Sequence, residues 1–465
     1  MGTLNIGVTV SNLRNACTGL APVHVYSKAL SVVAGLVLAA TPIASAEAKK
    51  PAPQPVAAAA VRLPSQSVAD FYRARSGAPL WLTPKSGDAA QQLLTVLANA
   101  RIDGLDPDKY HVSALHEAVA RARSDPKAAQ VADQQLSEAF AAYVSDLRKD
   151  PGIGIIYVEP QLKPRAPSPF AALLDAANAP SLAVYVGQIG WMHPVYGELR
   201  QALLSHGYAS DHERELLTLN LERARVLPAG RNRYVVVNAA QQRLFMYENR
   251  QAVDSMRVVV GKPKYPTPLM TALIRFAALN PYWYVPPDLA AKRIAPNVLK
   301  RGLGYLDELG YQVMSDWVDN PNIIDPKTID WKAVADGKTE VLIRQLPGPH
   351  NSMGRMKFMF PNSEGVYLHD NPERELFEQA ARLYSGGCVR LEDAARLGRW
   401  MFGRELDWES ATTEQRVPLN DPVPVYITYL TAMPDGGTIA YYDDVYGRDA
   451  ARIASLGGGG DVASR

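Results

Sequence analysis

The chain has 465 residues, a formal net charge of +2, 47% hydrophobic residues and 21% charged residues. That length exceeds one ordinary core and predicts two domains plus some unstructured sequence, while the apolar content excludes a disordered chain. Near-neutral charge without a long Lys/Arg run gives no reason to expect a nucleic-acid partner.

Residues 1–46 read as an export signal: Lys28 precedes the apolar run 29–40, and Ala44-Ser45-Ala46 offers small residues for cleavage before Glu47. The run is short for a membrane span, and the alternative is an uncleaved anchor. Residues 47–66, rich in Pro and Ala, read as an extended linker. Only two cysteines occur, Cys17 and Cys388, and the first lies inside the signal. One thiol would then remain, unable to form an internal disulfide and vulnerable to oxidation outside the cytosol. A single cysteine with a histidine elsewhere is a candidate nucleophile; the bland alternative is a buried small hydrophobe.

Residues 67–228 read as a helical domain. Leu93, Val96, Leu97 and Ala100 recur at helical spacing, as do Leu136, Phe140, Tyr143, Val144 and Leu147. Phe71, Tyr72, Leu80, Trp81 and Leu82 supply bulky anchors, and residues 217–227 form a last helix. His111 and His116 stand five apart, which fits no helical metal pair, so they read as surface residues and no metal site is expected.

The texture changes over residues 229–450. Tyr234-Val235-Val236-Val237-Asn238, Arg243-Leu244-Phe245-Met246-Tyr247 and Met256-Arg257-Val258-Val259-Val260 are β-branched and aromatic runs separated by polar turns, as in consecutive strands. Residues 286–346 form a less regular insertion, a candidate lid over a cleft. Residues 356–360 and 366–369 read as strands, 373–383 as a helix, Ser385-Gly386-Gly387 as a sharp turn, and 391–402 as another helix. Residues 423–430 and 438–442 are expected to close the sheet, and 451–465 to be a disordered tail. The fold class is therefore α+β: a mostly helical domain followed by a mixed β-sheet domain with a lid-like insertion.

Chemistry concentrates in Val366-Tyr367-Leu368-His369-Asp370 and Ser385-Gly386-Gly387-Cys388-Val389-Arg390. A thiol is a useful nucleophile as thiolate, and a neighbouring imidazole draws off its proton, so Cys388 and His369 must meet in space. Gly386 and Gly387 permit a tight turn, and the Gly387 and Cys388 amides are candidate oxyanion donors, with Ser385 in the same turn. Arg390 is placed to hold a carboxylate or steady the thiolate, or simply to form a surface ion pair.

These motifs resemble the active-site signature of the L,D-transpeptidases, cysteine enzymes that remodel bacterial peptidoglycan. The resemblance extends through Asn280-Pro281-Tyr282-Trp283-Tyr284-Val285-Pro286-Pro287, Leu346-Pro347-Gly348-Pro349, Gly354-Arg355-Met356-Lys357-Phe358 and Phe360-Pro361-Asn362, matching the large periplasmic subgroup with a scaffold domain and a capping insertion. It implies Cys388 as nucleophile, His369 as general base, Gly387 at the oxyanion site and Arg390 as the basic residue after the cysteine. It further implies a periplasmic enzyme, monomeric and without cofactor, that forms 3-3 cross-links between tetrapeptide stems through a thioester with loss of the terminal D-Ala. Inactivation by carbapenems at the same sulfur is also implied.

Two departures stand out. Gly386 occupies a position where many members have histidine, and the span 181–212 leaves little room for a separate peptidoglycan-binding module. The rivals are an L,D-carboxypeptidase, in which water resolves the thioester, and an enzyme tethering an envelope protein to the wall. A non-enzymatic wall-binding scaffold would have no need of both Cys388 and His369. Papain-like hydrolases place the cysteine before the histidine, and here His369 comes first. His350 is the other histidine of this half that would serve as base if His369 does not.

Overall fold

The computed structural model describes residues 66–318 and 321–457. The expected signal, nearly all of the linker and residues 458–465 lie outside the described residues.

The first part is built from capped helices. Ser67 and Asp70 form a capping box at the start of α1 (Val68–Ala74). α2 (Ala89–Ala98) and α3 (Val112–Arg121) follow, and Asp125 with Pro126 in the first turn starts the long α4 (Pro126–Leu147). α5 (Pro169–Asn178), α6 (Leu182–Gly187), α7 (Pro194–Leu204) and α8 (Asp211–Ala224) complete it. The stripes expected from helical spacing are inside: Leu93, Leu97, Ala100, Leu136, Phe140, Tyr143 and Leu147 share one core. His111 and His116 are exposed.

Two buried carboxylates organise this core. Asp133 accepts from the amides of Leu80, Trp81 and Leu82 at 2.8, 2.8 and 2.9 Å and from Tyr72 Oη at 2.5 Å, pinning the segment between α1 and α2. Asp103 accepts from Tyr143, Tyr196 and Arg200 at 2.5, 2.6 and 2.9 Å. Such charges are tolerated inside because every lone pair finds a donor.

The helical part also reaches into the next. Its strand β1 (Ile156–Tyr157) runs parallel to Met270 and Thr271, and buried Glu159 accepts from Leu273 N and Arg275 Nη2 at 3.0 and 2.9 Å.

β2 (Arg233–Asn238), β3 (Arg243–Glu248) and β4 (Gln251–Gly261) form an antiparallel meander, followed by β5 (Met270–Leu279). The insertion then carries its own sheet: β6 (Trp283–Val285), β7 (Tyr311–Met314), β8 (Ile323–Ile324) and β9 (Leu342–Gln345), in the order β6-β9-β7-β8. Helices α9 (Pro287–Leu289), α10 (Ala295–Arg301), α11 (Gly304–Glu308) and α12 (Trp331–Ala335) flank it, with a π-helical turn at Ala290–Ile294. After it come β10 (Met356–Met359), β11 (Leu368–His369), β12 (Leu383–Ser385), β13 (Val389–Leu391), α13 (Ala394–Phe402), β14 (Gln415–Thr428), β15 (Ala432–Asp435), β16 (Thr438–Tyr441) and α14 (Asp449–Gly457).

The main sheet runs β5-β10-β11-β13-β4-β3-β2-β14, and β14 pairs back onto β5 in antiparallel register, so the mixed sheet closes on itself. Closure removes the open edges that would otherwise remain at β5 and β14.

Four expectations are corrected. Residues 373–383 are not a helix: a 3-10 turn at Arg374–Glu378 leads into β12, because only Phe377 of the apolar positions is buried. Leu391 belongs to β13, and α13 starts only after the N-cap Asp393. Residues 438–441 pair with β15 in a separate hairpin, and closure falls to β14. The tail expected from residue 451 is helical to Gly457, held by Arg223–Asp449 and Glu222–Arg452 pairs. Among the described residues no helix is long and apolar enough to cross a membrane.

Candidate active site

β11 and β13 lie side by side and parallel, with Leu368 opposite Val389 and His369 opposite Arg390. Side chains alternate along a strand, so Tyr367 and His369 share a face, and the register sets Arg390 beside His369 on that face. Cys388 immediately precedes β13, which brings the thiol and imidazole, nineteen positions apart in the chain, onto adjoining strands.

The turn before Cys388 is fastened from several sides. Ser385 Oγ donates to Cys388 O at 2.5 Å and accepts from Gly387 N at 3.0 Å. Buried Thr267 Oγ1 donates to Gly387 O and accepts from Gly261 N, both at 2.9 Å, and Lys262 N donates to Ser385 O at 3.1 Å. Gly387 adopts φ +122°, a conformation that favours glycine. Its amide, expected as an oxyanion donor, is instead committed to Ser385, because the serine hydroxyl folds the turn back on itself. Gly386 is exposed, and a Cβ there would meet nothing within 4 Å, so the place of the absent histidine is open.

His369 is 1% exposed, and its Nδ1 lies 2.6 Å from the carbonyl oxygen of Asp370. A carbonyl only accepts, so Nδ1 carries the ring proton and Nε2 is the basic nitrogen. Burial, reinforced by the Arg390 and Lys357 charges and opposed by carbonyls of Asp370 and Met353, lowers its pKa to about 3. Asp370 in turn accepts from Arg355 N and Arg374 Nη2 at 2.9 and 2.8 Å, and a Cβ on Gly354 would meet its Oδ2 at 2.3 Å.

Cys388 is partly exposed; its thiol faces Gly365 O at 3.7 Å. Desolvation raises its pKa, offset in part by hydrogen bonds from the Tyr367 backbone and hydroxyl and by the Arg390 charge. Among the described residues no hydrogen bond joins the sulfur to His369. Tyr367 touches both, bonding to the sulfur and setting its ring edge-on to the His369 ring at 5.7 Å. Arg390 Nη1 is held by Glu373 Oε2 at 2.8 Å and Asn371 Oδ1 at 3.3 Å. His350 is exposed. Among the described residues no group of histidine, cysteine or acidic side chains is arranged to hold a metal ion.

Sequence reasoning missed Tyr367 and Thr267. The first was readable from alternation, two positions before His369 on the same face; nothing local marks Thr267, which reaches the site through the β4–β5 connection.

Residues 232–425 match the L,D-transpeptidase catalytic domain family, and residues 66–203 match the scaffold domain family. The chain carries an L,D-transpeptidase catalytic domain preceded by a scaffold domain. A Haemophilus influenzae protein named as a candidate L,D-transpeptidase is 27% identical over 397 residues, covering 82% of this chain and 78% of that protein. Among solved structures, an L,D-transpeptidase from Mycobacterium smegmatis shares 13% identity over 43% of this chain and 60% of its own, with a TM-score of 0.21. A mutant Enterococcus faecium L,D-transpeptidase shares 11% identity over 47% and 64%, with a TM-score of 0.21. The match thus spans less than two thirds of either solved chain. The α+β organisation expected from the sequence, a helical scaffold followed by a mixed sheet, is the one observed.

Proposed function

We propose that this L,D-transpeptidase forms 3-3 cross-links in peptidoglycan, outside the cytoplasmic membrane, through a thioester on Cys388. The observation that carries this reading is the parallel β11–β13 register, which sets a neutral, Nδ1-protonated His369 on the strand beside the thiol.

In the first half-reaction the Cys388 sulfur attacks the carbonyl of the L-centre of diaminopimelate in a tetrapeptide stem. Its proton passes to His369 Nε2, the C–N bond to the terminal D-Ala breaks, and the imidazolium protonates the leaving amine. In the second, the side-chain amine of an acceptor stem attacks the thioester, His369 takes the amine proton, and the released thiolate recovers it. A raised thiol pKa and a lowered imidazole pKa match this order: the resting pair is neutral, and charge develops only as the sulfur attacks. The oxyanion falls to the Cys388 amide with Tyr367 beside it, while Ser385 and Gly387 shape the turn. Arg390, already paired with Glu373, steadies charge at the sulfur and disfavours charge at the ring.

Purified protein given a disaccharide-tetrapeptide is expected to release D-alanine and yield a cross-linked dimer by mass spectrometry, and Cys388→Ala to abolish both. Tripeptide as sole product would replace this reading with a carboxypeptidase, and activity retained in Cys388→Ala would end the cysteine mechanism.

A further inference from the structure

Lys357 lies directly opposite His369 across the antiparallel β10–β11 pair, as Arg390 does across the parallel β11–β13 pair. One row across the sheet therefore reads Ala278, Lys357, His369, Arg390, Val259. Opposed residues stand about 5 Å apart at Cβ and share a face, so the imidazole sits between two cations. The Lys357 side chain is only 8% exposed, and its ammonium lies 3.0 Å from Glu414 Oε1 and 5.9 Å from the centre of the Tyr284 ring. The same Glu414 oxygen accepts from Tyr282 N at 2.6 Å, and Glu414 N donates to Asn280 O at 3.1 Å, at the point where the chain leaves β5 for the capping insertion.

We propose that Lys357 is a positioning residue of the acyl-transfer site, holding His369 between two cations and, through Glu414, tying that row to the root of the capping insertion. This rests on the reading of Cys388 and His369 given above. The charged and titratable groups around His369 are Lys357 from β10, Arg390 from β13, Cys388 ahead of β13, and Tyr367 and Asp370, which flank β11 in the chain. Glu414 and Glu373 lie beyond, each bound to one of the two cations, and the Asp370 carboxylate is bound to Arg355 N and Arg374. The charges that act on the ring are those of Arg390 and Lys357, both opposing its protonation, so the two pairs leave a net positive field at the imidazole. A proton received on Nε2 then sits in a repulsive field and is returned readily to the departing amine, which is what a shuttle between two half-reactions requires. A purely structural ion pair would be exchangeable for apolar groups of similar volume without effect on the ring.

The test is the His369 ring titration, followed by NMR on the folded full chain, with acylation by disaccharide-tetrapeptide recorded across pH. Lys357→Met with Glu414→Gln removes both charges without leaving either alone. It is expected to move the His369 titration up by about one pH unit and to move the acid limb of acylation with it. Lys357→Arg is expected to restore the wild-type titration, and Glu414→Gln alone to speed hydrogen exchange at the Tyr282 amide by more than tenfold. A folded double variant whose His369 titrates as in the wild type would overturn the proposal. The titration is read without turnover, so a wild-type protein that releases no D-alanine would instead count against the functional reading.

Discussion

The Nδ1 of His369 lies 2.6 Å from the carbonyl oxygen of its own neighbour Asp370, which fixes the tautomer through the main chain and leaves Nε2 as the basic nitrogen. Because the partner is a backbone oxygen, Asp370→Asn should preserve the tautomer, whereas His369→Ala removes the base. In the alanine variant, thiol acylation is expected to be slower by at least about a hundredfold at neutral pH and to recover only as alkali ionises the thiol, whose own pKa burial raises. The measurement is the acylation rate from pH 6 to 10; a profile parallel to the wild type would assign the base elsewhere, with His350 the next to substitute.

Acid should unfold the protein through two histidines. His369 and His193 are both 1% exposed and both held neutral by burial, with pKa lowered from 6.5 to about 3. The unfolded chain takes up these protons near pH 6.5 and the native chain only near 3, so between those values the unfolded state binds more protons and stability falls as pH falls. Each contributes a slope of at most about 1.4 kcal/mol per pH unit. His193 caps α7 through Nδ1, which accepts from Val195 N at 3.2 Å, and its ring meets Tyr247 at 5.0 Å where scaffold and sheet join. His193→Asn keeps a cap acceptor and is expected to halve the slope, measured by urea unfolding at pH 7, 5 and 4.

Gly354 has φ +63°, and its missing side chain makes room for the Asp370 carboxylate. Gly354→Ala would drive a Cβ into that carboxylate and displace the segment that holds His369. Expected are a loss of roughly 2 kcal/mol in unfolding free energy and a fall in acylation larger than the fraction unfolded explains. Equal losses in the two measurements would reduce the effect to stability alone.

Ser385→Ala deletes both bonds that fold the nucleophile turn, the donation to Cys388 O and the acceptance from Gly387 N. Thr267 still holds Gly387 O, so the domain is expected to fold, with a cost of about 1–2 kcal/mol. Acylation should fall by roughly 10-fold to 100-fold, read as a change in kcat rather than KM for the tetrapeptide.

What the sequence made legible was set by periodicity and by chemistry. The helical stripes and the β2–β4 meander follow from short-range patterns that burial enforces, while the adjacency of the strands carrying His369 and Cys388 depends on the β11–β13 pairing. Residues 373–383 misled because Leu376, Phe377, Ala380 and Leu383 have helical spacing, yet Arg382 uses its amide and guanidinium on Gln242 and Val258 and draws the segment along β4. That is a tertiary override of local propensity. Thr267 and Glu159 were invisible for a related reason: each acts on a strand or turn more than a hundred positions away. The Gly387 amide was misread because a glycine turn predicts freedom of the backbone but not which side chain takes up the donor.

The closed sheet carries a consequence for biogenesis. β14 pairs with both β2 and β5, so the ring cannot be completed until Gln415–Thr428 has joined Arg233–Asn238. A chain emerging from its N-terminus can assemble the scaffold helices early, from contacts close in sequence, but the catalytic core must wait for its last long strand. Until then β2 and β5 each lack a partner strand, although β10, β11 and β13 around His369 have already been made. Completion of the closed sheet is thus tied to the last of its strands to be synthesised.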